Sequence, residues 1–167
     1  MVGAFHMPRL VYINIDTLST LSVRLFNSGF GEIIKHGLIK NRDYFDYLDT
    51  NYEHIKVLEP EYITEVVYRS CLIKADVVNR DPAEKGERAL LNFGHTLGHA
   101  VEKLMNFSLY HGECVALGMI PMCSESVRNR LIPVLKKLDL PTSTAVTADT
   151  IINAYVVIAT AAAVSTC

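Results

Sequence analysis

The stretch LNFGHTLGHAVE, residues 91–102, places two histidines four residues apart in an otherwise apolar, glycine-spaced run. At 100° per residue, one helix over 87–105 would gather five polar side chains within an arc of about 80°. Those five are Arg88, Asn92, His95, His99 and Glu102. Gly94 and Gly98 each cost a helix about 1 kcal/mol relative to alanine, which predicts that another backbone approaches closely there. The stretch is either the polar face of an amphipathic helix or part of a functional site, because arginine and asparagine suit an anion and histidine suits a metal or a proton.

Helical patterns dominate the chain on both sides of this stretch. An apolar face recurs at helical spacing over 19–41, a short helix is predicted over 42–51, and a long one begins near Pro60. Pro121 is expected to kink or split the helix that follows His111. Because no series of alternating strands is present, we predict an all-α, multi-helix bundle. Its predicted parts are an extended N-terminal segment (1–18), a helical domain (19–142) and an apolar tail (143–167).

Composition excludes several classes of protein. The chain has 167 residues, half of them hydrophobic, which is enough for one globular core. A net charge of −2 gives no basic surplus for nucleic acid. Four scattered cysteines are typical of reduced thiols in a cytoplasmic protein. The charge-free run 151–167 is shorter than the about 20 residues of a membrane span, so a buried segment is favoured over an anchor.

Glu32, Lys35 and His36 share one face of the predicted helix over 19–41. This spacing favours an ordinary surface ion pair, and the alternative is a carboxylate ligand beside a substrate-binding lysine. Lys74 has serine, cysteine and two valines one turn away on either side. Its ammonium group therefore either reaches out to water or meets an anion.

His111 stands at or just before the start of an apolar helix, where a helix N-terminus favours a neutral imidazole. Neutral imidazole is the form that binds metals, although a lone histidine at such a position is more often structural. With Glu32 and His95 it would make three ligands on three elements, an open site that water or substrate completes. Sequence spacing alone cannot show whether the three converge.

Several blocks of the sequence together resemble the 3-dehydroquinate synthase family. They occur in order as GAFHMP, DTLSTL, SGFGEIIKHGLI, KADVVNRDPAEKGERALLNFGHTLGHAVE and HGECVALGM, and the match continues to LDLPT near residue 142. Related sugar-phosphate cyclases, such as 2-deoxy-scyllo-inosose synthase, share much of the pattern and remain an alternative.

This resemblance implies a role for each matching residue. The metal, zinc or cobalt, would be held by Glu32, His95 and His111. His99 would contact the substrate and assist proton transfer with Glu84 as its partner. The remaining implied positions are the substrate-binding Lys35 (also a catalytic candidate), Lys74, Arg88 and Asn92, and the NAD-contacting Thr17, Leu18, Ser19 and Thr20.

The implied reaction converts 3-deoxy-arabino-heptulosonate 7-phosphate to 3-dehydroquinate and phosphate in the shikimate pathway. A ring hydroxyl is oxidised with NAD, phosphate is eliminated, the ketone is reduced, and the ring opens and closes again. The lysines and arginine suit a substrate that carries both carboxylate and phosphate. The resemblance implies a cytoplasmic enzyme with a small-molecule partner, leaves a homodimer open, and makes nucleic-acid or membrane partners unexpected.

The chain also departs from the family pattern. The family's TLPxRE reads TLSVRL, with Ser22 and Leu25 in place of proline and glutamate. A C-terminal DKK motif and the N-terminal nucleotide-binding domain that carries most NAD contacts have no counterpart here. We therefore expect the isolated chain to lack synthase activity while folding and binding zinc. The alternative is a non-catalytic helical remnant.

Overall fold

The computed structural model describes His6, residues 9–82 and 86–145, and Thr150, and all regular structure among these residues is helical. The prediction of an all-α bundle is therefore confirmed. Two short 3₁₀ helices, Ile15–Thr20 and Glu87–Asn92, accompany the α-helices. The α-helices are α1 (Val23–Lys40), α2 (Arg42–Thr50), α3 (Tyr52–Lys56), α4 (Pro60–Arg80), α5 (His95–Leu104), α6 (His111–Met122) and α7 (Glu125–Lys137).

Helix α6 is the central element of the bundle. Every residue from Gly112 to Met119 on it is buried, because α1, α5 and α7 all pack around it. A helix that is apolar on all sides is expected in just such a position. The main core lies between α1, α2, α4, α6 and α7, with Phe30, Ile34, Tyr44 and Leu131 fully buried within it.

Close backbone contacts set the positions of α1 and α5 against α6. A Cβ atom at Gly31 of α1 would overlap the carbonyl group of Gly112, and one at Gly112 would overlap the carbonyl of Ser28. On the other side, a Cβ at Gly118 of α6 would overlap the carbonyl of Gly94 at the start of α5. The prediction that another backbone approaches near Gly94 and Gly98 is confirmed, because Gly98 lies against the backbone of α6.

The prediction of one continuous helix over 87–105 is wrong. A 3₁₀ helix ends at Asn92, and α5 begins only at His95. Between them Gly94 has a φ of 79°, a left-handed conformation that ends one helix and that residues other than glycine rarely adopt. The polar stripe is thus shared between two short helices, and Arg88 does not continue the face of His95 and His99.

Other boundaries follow the sequence more closely. Helix α6 ends one residue after Pro121, as predicted, and α7 begins at Glu125. The segment expected to be extended contains a 3₁₀ helix from Ile15. Among the described cysteines, Cys71, Cys114 and Cys123 are all free. No helix within the described ranges is long and apolar enough to cross a membrane. Most of the apolar tail lies outside these ranges.

Candidate metal centre

Three helices bring Glu32, His95 and His111 together. Oε1 of Glu32 lies 3.1 Å from Nε2 of His95 and 3.4 Å from Nε2 of His111. One ligand atom from each residue lies within 4.8 Å of the others. Each of the three side chains neighbours a glycine of the α1–α6 or α5–α6 contact. The helix crossings therefore determine where the ligands meet.

The spacing and hydrogen bonding of these atoms fit a divalent metal. Ligands about 2.1 Å from a tetrahedral metal are about 3.4 Å from one another, close to both distances measured from Glu32. Oε1 of Glu32 is buried and accepts no hydrogen bond of acceptable geometry, although two imidazole nitrogens lie near it. A buried carboxylate oxygen without a hydrogen bond is costly, and a cation bound between it and the two nitrogens would remove that cost.

Lys35 holds the other oxygen of the Glu32 carboxylate. Its ammonium group donates to Oε2 of Glu32 at 2.5 Å and to the carbonyl of Leu91 at 2.7 Å. The side chain is only 3% exposed, so the interpretation of this spacing as a surface pair is wrong. Burial by itself would raise the pKa of Glu32, but the nearby His95 and Lys35 outweigh it and lower that pKa to about 2. The carboxylate is therefore ionised and ready to bind a cation.

His99 faces the same site from the next turn of α5. Its ring centre lies 5.6 Å from that of His95 and 5.8 Å from that of His111. Partial burial and the two neighbouring imidazoles lower the pKa of His99. A neutral imidazole on the exposed side of the site can accept a proton from a bound molecule. Glu102 forms a second group of possible metal ligands with His99 and His111.

The other proposed substrate residues lie on α4 and on the second 3₁₀ helix. Asn92 is exposed, while the guanidinium of Arg88 donates to the carbonyl of Pro82 at 3.2 Å. Lys74 is also exposed. The pKa of His36 is lowered to about 4, mainly because His36 is buried and also because of the nearby charges of Lys35 and Lys74. Glu84 lies outside the described residues.

The segment Thr17–Thr20 forms most of the first 3₁₀ helix, which packs against the start of α4. Its three hydroxyl groups donate to backbone carbonyls within the same turn, at 2.6–2.7 Å. A cavity of about 130 Å³ lies beside it. A larger cavity of about 510 Å³ lies between α1, α2 and α7, and none of the three candidate metal ligands lines it.

One pair near the site is absent from the sequence-based predictions. Arg24 and Glu113 form a two-pronged ion pair between α1 and α6, with both N–O distances at 2.7 Å. The two residues are 89 positions apart, so no spacing rule connects them. The available signal was Glu113 in the first turn of an apolar helix, where a glutamate commonly accepts from the backbone of the preceding cap residue.

These features define a helical domain with a glutamate–histidine–histidine centre suited to a divalent metal. A model of the family described as 3-dehydroquinate synthase C-terminal matches residues 29–157, and the chain belongs to this family.

Curated relatives carry the same name. The chain is 44% identical over 151 residues to a 3-dehydroquinate synthase of Acetivibrio thermocellus, an alignment that covers 85% of this chain and 42% of the relative. It is 48% identical over 126 residues to the 3-dehydroquinate synthase of Xylella fastidiosa (strain M12), covering 72% of this chain and 34% of that protein. The chain thus spans less than half the length of these relatives.

A solved structure has the same helical arrangement. It is ValA, the 2-epi-5-epi-valiolone synthase from Streptomyces hygroscopicus subsp. jinggangensis 5008, with NAD⁺ and Zn²⁺ bound. The two chains superpose with a TM-score of 0.77 at 25% identity, over 86% of this chain and 43% of that one.

Proposed function

We propose that this chain is the metal- and substrate-binding part of a 3-dehydroquinate synthase. The observation that carries the proposal is the convergence of Glu32, His95 and His111, with one buried carboxylate oxygen left without a hydrogen bond. These three residues would hold the metal, zinc or cobalt. When bound, that ion would polarise a substrate oxygen. The names of the relatives and the zinc in the valiolone synthase support this assignment.

The chain's own residues would bind and orient a substrate that carries a carboxylate and a phosphate. Lys74, Arg88 and Asn92 would supply hydrogen bonds to these anionic groups. Lys35 would keep the Glu32 carboxylate in place, and a lysine so close to the metal could also contact the substrate. His99 would transfer a proton, since its lowered pKa keeps it neutral near pH 7. Glu84 is its proposed partner.

The proposed reaction is the conversion of 3-deoxy-arabino-heptulosonate 7-phosphate to 3-dehydroquinate and phosphate. This is a step of the shikimate pathway toward chorismate and the aromatic amino acids, and its proposed compartment is the cytoplasm. Thr17–Thr20 would touch NAD, with most NAD contacts supplied by a nucleotide-binding domain in the part of the relatives that this chain does not cover. We therefore expect no NAD-dependent phosphate release from the isolated chain in a coupled assay.

The likeness to the valiolone synthase supports one second candidate, a related sugar-phosphate cyclase. The higher identity to relatives named 3-dehydroquinate synthase favours the first. Adding a separately produced nucleotide-binding domain and comparing the two substrates would decide between these reactions.

Metal binding by the purified chain tests the ligand assignment. Zinc affinity is measured by competition with a chromophoric chelator in His95→Ala, His111→Ala and His99→Ala. The first two variants are expected to lose tight binding, because each removes one of three ligands, whereas His99→Ala should retain it. Equal zinc affinities in all three variants would contradict the assignment.

A further inference from the structure

Arg24, near the start of α1, makes more polar contacts than an ordinary half-exposed arginine. Its Nε and Nη2 each donate to one oxygen of Glu113 at 2.7 Å, and Nη2 also donates to the carbonyl of Ser108 at 3.1 Å. The guanidinium lies 4.8 Å from the centre of the Tyr110 ring. A planar guanidinium engaged in this way has one orientation, unlike the flexible side chains of most surface ion pairs.

The partner of Arg24 is a structural carboxylate at the start of α6. Glu113 is only 8% exposed, and its Oε2 also accepts from the backbone N–H of Tyr110 at 2.8 Å. This carboxylate therefore holds the first turn of α6 to the residue that precedes it.

These contacts lie on both sides of His111 in the chain. Ser108 and Tyr110 precede it and Glu113 follows it, so one guanidinium fixes the backbone that enters α6 at the histidine. His111 itself is about half exposed, and its side chain lies near Glu32, His95 and His99, all members of the polar site. Its position therefore depends mainly on the path of this backbone.

Helix α1 carries both Arg24 and Glu32. It contacts α6 through the Arg24–Glu113 ion pair near its start, and through Ser28 and Gly31 against Gly112 further along. The ion pair lies about two helical turns from the Gly31–Gly112 contact, so it adds a second constraint on the relative angle of the helices. The distance from Glu32 to His111 depends on that angle.

We propose that Arg24 is a positioning residue for the metal centre, because its ion pair with Glu113 sets His111 at the distance from Glu32 that a shared metal requires. The inference rests on the proposed function, since it takes these two residues as ligands. Among the described residues Arg24 hydrogen-bonds to Glu113 and Ser108 and to neither ligand side chain, so the proposal gives it placement and no part in the chemistry.

The test compares Arg24→Ala and Arg24→Lys with Arg130→Ala in the full 167-residue chain. Arg130 is a matched control, because it also pairs with a carboxylate on another helix, Asp46, and covers an aromatic ring, that of Phe45 at 5.2 Å. It is not part of the metal site. Zinc affinity is measured by chelator competition, the ligand geometry by the visible absorption of the Co²⁺-loaded protein, and stability by urea unfolding of the metal-free protein.

Arg24→Ala is expected to lower zinc affinity about tenfold, the low end for loss of a residue that orients metal ligands, and to change the Co²⁺ spectrum. Arg24→Lys should lie between wild type and Arg24→Ala, because lysine keeps the charge but not the two-pronged contact. Arg130→Ala should lower stability and leave both metal readouts unchanged.

Wild-type affinity and an unchanged Co²⁺ spectrum in Arg24→Ala would overturn the inference. If that variant does not fold, wild-type values in Arg24→Lys would overturn it equally. Failure of the wild-type chain to bind zinc would overturn the metal centre itself, an outcome distinct from wild-type binding that is insensitive to Arg24.

Discussion

Gly31→Ala is the substitution that most directly tests how the helix crossing builds the metal centre. A methyl group at this position of α1 would overlap the carbonyl of Gly112, roughly 1 Å closer than real Cβ contacts allow. Neither atom of the clash is a movable side-chain end, so the two backbones must separate. That separation carries Glu32, the next residue, away from His111.

Two opposing contributions determine the stability of this variant. Relief of the overlap is expected to cost about 1–3 kcal/mol, the usual range for overpacking. Replacing a glycine within a helix with alanine returns about 1 kcal/mol. Gly29→Ala is the matched control on the same helix, because a Cβ atom there meets nothing within 4 Å. Since both variants gain the helix preference of alanine, Gly31→Ala should be about 1–3 kcal/mol less stable than Gly29→Ala.

Metal binding should report the same displacement. A ligand that moves by about 1 Å no longer meets the geometry that a metal requires, so we expect the zinc affinity of Gly31→Ala to fall at least about tenfold. Gly29→Ala should bind zinc as the wild type does. Urea unfolding of the metal-free proteins and chelator competition measure the two quantities. If Gly31→Ala matches Gly29→Ala in both, the close crossing does not determine the ligand geometry.

Two further predictions concern buried polar groups that are not proposed ligands. Burial is the main cause that lowers the pKa of His36 from an ordinary 6.5 to about 4. Between these two pH values the unfolded chain binds more protons than the folded one, so the free energy of unfolding decreases as the pH is lowered from 6.5 to 4. The loss should approach about 3 kcal/mol at pH 4, and urea unfolding of metal-free His36→Gln should lack this component; identical pH dependence in the two proteins would refute it. Tyr44→Phe removes the hydroxyl that donates to the carbonyl of Val66 at 2.7 Å in the core. It should cost about 1–3 kcal/mol in the same assay, and an unchanged unfolding free energy would show that the bond contributes nothing.

The helical elements could be predicted from the sequence because their signals are local. Apolar spacing and Pro60 were enough to locate α4, and Pro121 marked the end of α6. The break at Gly94 was missed because a glycine four residues before another glycine is compatible with a continuous helix. Only the packing of Gly118 against the Gly94 carbonyl shows that this residue ends one helix and precedes the next.

The candidate site depends on contacts that no local pattern contains. Spacing suggested a surface pair for Glu32 and Lys35, but the carbonyl of Leu91, 56 positions away, is what fixes the buried lysine. Convergence of the three candidate ligands was expected only from the resemblance to a family. Arg24 lies in the TLSVRL stretch, yet only the crossing of α1 and α6 identifies its partner, Glu113.

The burial of α6 from Gly112 to Met119 affects how the domain can move. Helices at the centre of a domain expose their amide hydrogens to exchange with water mainly through global unfolding, whereas peripheral segments open locally at lower cost. His111 is the first residue of this helix, so one proposed ligand is attached to the part of the domain that we expect to exchange most slowly. Glu32 and His95 approach from helices packed around it. Fluctuations of the metal centre should therefore consist of α1 and α5 moving relative to an almost stationary α6.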